Sequence, residues 1–115
     1  MTAPVREAWL LRDGEVLAAL EVADSFASRL RGLLGRDGIE GAMLFRPAKS
    51  VHTIGMRFPI DVAFCSSDMV VLDIRTMSPQ RVGAPRLRAR CVIEAEAGAF
   101  ERWRLRPGDQ LEVKG

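Results

Sequence analysis

The sequence predicts a mainly β fold of the α+β kind: a compact antiparallel sandwich, or an irregular jelly-roll-like barrel, carrying two short helices. Three observations lead there. Turn residues recur at short intervals, as in Asp13-Gly14, Ser66-Ser67-Asp68 and Pro107-Gly108-Asp109. The segments between them are short and apolar, the pattern of half-buried strands. Few stretches space their apolar residues as a helix does. Many short strands around one core fill a sandwich or a barrel, and nothing in the pattern fixes the strand order.

Taken in order, Ala8 to Leu11 and Val16 to Val22 flank Arg12-Asp13-Gly14-Glu15, where Asp-Gly is a strong hairpin signal. A helix follows. Asp24 or Ser25 caps its first amides, Phe26, Leu30, Leu33 and Leu34 recur at helical spacing, and Gly35 ends it in a left-handed cap. Gly32 inside that span costs about 1 kcal/mol relative to alanine, which points to close packing there or an earlier end. Ala42 to Phe45 is a strand stopped by Pro47. Val51 to Ile54 and Ile60 to Phe64 are two more, separated by a corner from Gly55 to Pro59. Val70 to Thr76 is a longer strand ending before Pro79. Gln80 to Arg90 is polar, holds Gly83-Ala84-Pro85 and reads as a surface loop. Cys91 to Ala95 is a strand, Ala97 to Leu105 a short helix, and Gln110 to Val113 a last strand.

The chain of 115 residues reads as one domain over 1–115. It is long enough to bury roughly two thirds of its unfolded surface, so it needs no metal or disulfide to fold. No apolar run approaches the roughly 20 residues of a membrane span, and the start lacks the pattern of a secretory signal. A cytoplasmic protein without membrane attachment is expected. The net charge of +2 is too small to argue for nucleic acid. Eight arginines lie between Arg75 and Arg106 against Glu94, Glu96 and Glu101. That excess is an anion-binding face or a solvated surface of an arginine-rich composition, the second being the commoner case. Cys65 and Cys91 lack the spacing of a zinc site or a redox C-x-x-C, so two free, packed thiols are expected, with no metal and no cofactor.

One stretch stands apart. From Val51 to Phe64 the chain holds its only histidine, His52, a Gly55-Met56 step, Pro59, and Asp61 inside an otherwise apolar strand. Alternation puts Ile60, Val62 and Phe64 on one face and Asp61 with Ala63 on the other. A buried carboxylate must be paired or protonated. If the two limbs of the corner fold back as a hairpin, Thr53 or His52 lies opposite Asp61, with Arg57 also near. His52, Thr53, Met56, Arg57, Phe58 and Asp61 are therefore the expected ligand-binding residues, and His52 with Asp61 the candidate acid/base pair. The competing account is that Asp61 takes backbone amides and locks the corner.

These segments resemble a known family. Arg31-Gly32-Leu33-Leu34-Gly35-Arg36, Ala42-Met43-Leu44-Phe45, the run from His52 to Phe64, Val92-Ile93-Glu94-Ala95-Glu96-Ala97-Gly98 and Pro107-Gly108-Asp109 are similar, in the same order, to the domain of unknown function 192 family. The resemblance spans roughly residues 8–113. It implies a largely β domain of sandwich or jelly-roll type and assigns no catalytic residue. Members often follow a leader sequence and carry a Trp-Met-Lys-Asn version of the central motif. This chain reads Ile54-Gly55-Met56-Arg57 and begins directly, which supports a cytoplasmic variant.

The expected function is a non-enzymatic domain that binds a small ligand, an anionic one where arginines edge the groove, or a protein partner. The alternative is a small enzyme using His52 and Asp61 as an acid/base pair, with Cys65 or Cys91 as a nucleophile.

Overall fold

Asp13 and Gly14 take φ angles of 54° and 79° and close the first hairpin, as the Asp-Gly step predicts. The computed structural model describes residues 6–115, and of Phe26 and Leu30 the backbone alone, so the predicted apolar contacts of those two side chains lie outside the described residues. The hairpin joins β1 (Arg6–Arg12) to β2 (Glu15–Ala23). Helix α1 (Phe26–Arg31), β3 (Ala42–Phe45), β4 (Ile60–Cys65), β5 (Val71–Met77), β6 (Cys91–Glu96), α2 (Ala99–Arg102) and β7 (Glu112–Lys114) follow.

All these strands form one seven-stranded sheet, ordered β5-β4-β6-β3-β2-β1-β7. Its neighbours are antiparallel except β2 and β3, which run parallel. The sheet is thus mainly antiparallel, as expected, and the one parallel pair arises because α1 lies between the two strands and returns the chain for a second pass in the same direction. The far edges are tied together. Val71 N–H donates to Asp109 O at 2.9 Å and Leu111 N–H to Met69 O at 2.9 Å, beside a bridge between Val70 and Gln110. The sheet thus curls into an irregular barrel and has an enclosed and an outer face.

Each face carries its own core. Leu10, Leu20, Leu44, Ala63, Ile93 and Phe100 pack on the enclosed side. Leu33, Phe45, Val51, Met56, Val62 and Phe64 pack on the outer side. Strand β4 feeds both, since Ala63 and Val62 alternate across it, and all six of its residues are buried.

Three predicted elements differ from the structure. Helix α1 ends at Arg31 rather than at Gly35. Gly32 turns the chain there at φ 48°, and a β-carbon on it would stand 3.1 Å from the Phe45 ring. The predicted strand from Val51 to Ile54 does not form. Its backbone bonds instead to the segment after β5: Thr53 N–H donates to Arg81 O at 2.7 Å, and Gly83 N–H to Val51 O at 2.9 Å. Helix α2 is a single turn rather than the span from Ala97 to Leu105, entered through Gly98 at φ 96°. Among the described residues no helix is long and apolar enough to cross a membrane.

Candidate functional site

Asp61 points to the enclosed side of β4, next to Ala63 in the alternation, and is 3% exposed. Its carboxylate is fully engaged. The Thr76 hydroxyl donates to Oδ1 at 2.7 Å, and the Gly98 and Phe100 amides donate to Oδ2 at 2.9 and 3.1 Å. Thr76 is its cross-strand neighbour on β5, and the two amides open α2. Asp61 therefore pins a helix start to the sheet, as a side-chain cap does.

The partners expected from the corner are elsewhere. Thr53 is wholly buried, donates its hydroxyl to Ser78 O at 2.6 Å and accepts the Arg81 amide at 2.9 Å. Arg57 pairs with Asp37 at 2.9 Å on the surface. Phe58 packs in the outer core. His52 is exposed and stands on the outer side, where it lines a recess with Val51, Met56 and Val92. The sheet thus separates His52 from Asp61, because the limb holding His52 bonds to residues 80–83 instead of folding back along β4. Cys65 and Cys91 face each other across β4 and β6 in the enclosed core, away from His52. Contact with Cys91, then burial, holds the Cys65 thiol far above the ordinary range. A buried, protonated thiol is a poor nucleophile.

The recess that His52 and Met56 share has a volume of about 220 Å³. It opens where α1, the turn after it and the segment from Pro47 to Met56 cover the outer face. Leu33, Phe45, Val51, Met56 and Val92 form apolar walls, and Arg29, Arg31 and His52 stand at the mouth. Arg29 donates to the carbonyls of Asp24 and Arg46 at 3.1 and 3.3 Å. Arg31 is exposed. These are the cations beside this recess, whereas Arg104 and Arg106, from the later set between Arg75 and Arg106, line a separate hollow with Asp61 and Thr76. Of that later set, Arg86 pairs with Asp73 at 2.9 Å and Arg102 with Glu96.

Glu94 forms the floor. It sits mid-strand on β6, opposite Met43 on β3 and Val62 on β4, and is 7% exposed. Alternation gives it the outer face with Val92, while Ile93 and Ala95 turn to the enclosed core. Among the described residues it has no hydrogen-bond or ion-pair partner. Burial alone pushes its carboxyl up to about 8. The same pattern that singled out Asp61, one acid inside an apolar strand, is present in Cys91-Val92-Ile93-Glu94-Ala95. It was masked by the arginine-rich surroundings, which make Glu94 read as one more surface charge.

A carboxyl that keeps its proton near neutral pH offers one O–H donor and one carbonyl acceptor, and it can also move a proton. No group of three or more metal-ligating side chains occurs among the described residues.

Comparison with known proteins adds the family. Residues 9–113 match DUF192, described as "Uncharacterized ACR, COG1430". A UPF0127 protein of Pyrococcus horikoshii is 32% identical over 105 residues, covering 87% of this chain and 88% of that protein. A second, from Pyrococcus furiosus, is 31% identical over 103 residues, covering 85% and 89%. Two crystal structures share the fold. A protein of unknown function from Novosphingobium aromaticivorans superposes with a TM-score of 0.75 at 21% identity, covering 94% of this chain and 84% of that one. A Sinorhizobium meliloti protein, provisionally described as a transcription regulator, reaches 0.80 at 22% identity, covering 98% and 96%. At that identity the likeness speaks for the fold alone. With nearly its whole length matched, the chain belongs to the DUF192 family of UPF0127 proteins.

Proposed function

We propose that this chain is a small-ligand-binding domain whose site is the recess floored by Glu94. One observation carries the reading: a glutamate 7% exposed, without a partner among the described residues, at the bottom of a walled recess. A fold gains nothing from such a group. Its oxygens open onto the recess rather than being sealed in the core, and with no protein partner the charged form still costs stability that an apolar residue of similar size would spare. Polar groups kept at such expense in a concave, apolar site are the mark of recognition or chemistry. Of the residues singled out in the sequence, His52 and Met56 belong to this site, while Thr53, Arg57, Phe58 and Asp61 brace the structure around it. A reducing cytoplasm suits the two buried thiols.

The test is a metabolite library read by amide chemical shifts in the wild type and in Glu94→Leu. Ligands that move the amides of Leu33, Val51, His52 and Glu94, and lose at least tenfold in affinity in the variant, support the site. A library that moves none of those amides, or binds the variant equally, removes it.

A second reading has its own observation. A carboxyl at about 8 is matched to proton transfer at neutral pH, and His52 shares the recess. Glu94 would then act as the general acid or base of a small enzyme, in place of the His52–Asp61 pair. Chemical change in a recess-bound ligand, abolished in Glu94→Gln, separates catalysis from binding.

A further inference from the structure

The ionisable groups that line the recess are few, and they are arranged by depth. Arg31 and His52 are exposed and Arg29 is half-buried, whereas Glu94 lies beneath them at 7% exposure. A ligand entering from solvent meets the cations first. It then passes between Leu33, Phe45, Val51 and Met56, which offer no hydrogen bonds from their side chains. At the end it reaches a carboxyl whose burial favours the protonated form.

Two ligand classes compete for such a site. A cation would find a carboxyl to pair with, but it must pass two guanidinium groups, give up part of its water between apolar side chains and drive a proton off Glu94. An anion is drawn to the mouth, where a guanidinium holds a carboxylate or phosphate through paired N–H donors. Its far end then needs only an uncharged acceptor for the Glu94 O–H. The second arrangement leaves no charge buried without a partner.

Resting on the reading of this recess as a binding site, we infer that it takes a small anion with an apolar body and an uncharged acceptor at its far end. The head group sits at Arg29 and Arg31, the body lies between the apolar walls, and a ketone, ester or amide oxygen accepts from Glu94. Short oxo acids and acyl-type carboxylates or phosphates have that shape. A recess of about 220 Å³ holds a body of several carbons. Alkylamines are refused.

The experiment uses four probes of equal carbon number on the full chain at pH 7: 5-oxohexanoate, hexanoate, 2-hexanone and hexylamine. Shifts of the Leu33, Val51, His52 and Glu94 amides report binding. The oxo acid is expected to bind at least fivefold more tightly than hexanoate or hexanone, and the amine most weakly. Arg31→Ala should weaken the oxo acid three- to tenfold and leave hexanone unchanged. Glu94→Gln, a neutral donor and acceptor of the same shape, should keep oxo acid affinity within about threefold, whereas Glu94→Leu should erase its advantage over hexanoate. Hexyl phosphate in place of hexanoate tells a phosphate head from a carboxylate. An amine that binds at these amides as tightly as the oxo acid overturns the anion class and leaves the recess as a site. Four probes without effect also overturn the class. The site itself is removed only by the metabolite library, through silence at these amides or equal binding to Glu94→Leu.

Discussion

Asp61 and Glu94 occupy adjacent strands of one sheet. Asp61 pairs across with Ala95, and Glu94 with Val62, so the two acids are one register step apart on opposite faces. Both are more than nine-tenths buried. Asp61 receives three hydrogen bonds from β5 and the start of α2, and Glu94 receives none from the described residues. Burial therefore does not separate a functional acid from a structural one; the partners do. A carboxylate satisfied by the protein holds the fold together, and one left to the recess adds nothing to the fold and needs another reason to be there.

The comparison breaks most visibly at Asp61. Asp61→Ala strands the Thr76 hydroxyl and two amides in a buried place, and about 4 kcal/mol of stability should go with them. That is a large part of the total stability of a domain this size. Asp61→Asn keeps one acceptor and should lose about 2 kcal/mol, so it remains measurable if the alanine variant does not fold. Urea midpoints check both. A loss below 1 kcal/mol in the alanine variant would show that the two amide bonds do not hold α2 to the sheet and that the Thr76 bond adds little.

Glu94 should respond in the opposite sense. A glutamate in the unfolded chain titrates near 4.5, and Glu94 in the fold near 8. Between those values the folded chain binds more protons than the unfolded one, so stability falls as pH rises through this window. The loss is complete above about 8 and absent below about 4.5. Glu94→Gln cannot ionise. It should be roughly 1 to 2 kcal/mol less stable than the wild type at pH 4, where a buried amide is the poorer group, and should exceed it by about 3 kcal/mol at pH 9, where only the wild type bears the ionisation cost. Urea unfolding at both pH values reads this directly. A variant less stable than the wild type at pH 9 would mean that Glu94 is ionised and paired in solution.

Why one acid was legible in the sequence and the other was not follows from their surroundings. Asp61 sits in a run with no other charge between Pro59 and Cys65, so alternation exposes it at once. Its partners were not legible, because Thr76, Gly98 and Phe100 lie 15, 37 and 39 positions away and only the sheet register brings them near. The local guess, a hairpin with Thr53 or His52, failed for the same reason: the Val51 to Ile54 segment finds its bonds after β5. Glu94 breaks an apolar run as clearly, but with Arg90 before it and Glu96 after it the residue reads as surface. The β-rich class, the first hairpin, β3 and most of β4, β5 and β6 were written locally, in turn residues and apolar runs. The parallel β2–β3 pair and the recess depend on how α1 crosses the outer face, which no local pattern records.

The smallest expected effect tests whether the satisfaction of Asp61 is complete. Thr76→Val keeps the volume of the side chain and its strand preference but removes the hydroxyl that donates at 2.7 Å. Asp61 still accepts the two α2 amides, so the loss should be about 1 kcal/mol, the ordinary worth of one hydrogen bond. Thr76→Ser restores the donor, and with it most of that stability. The pair isolates the bond from the packing, which alanine would not. Equal midpoints for Thr76→Val and the wild type would make the two amides sufficient for Asp61. The contrast with Glu94 would then rest on the helix start alone, because two backbone N–H groups would be partners enough to hold the carboxylate in the core.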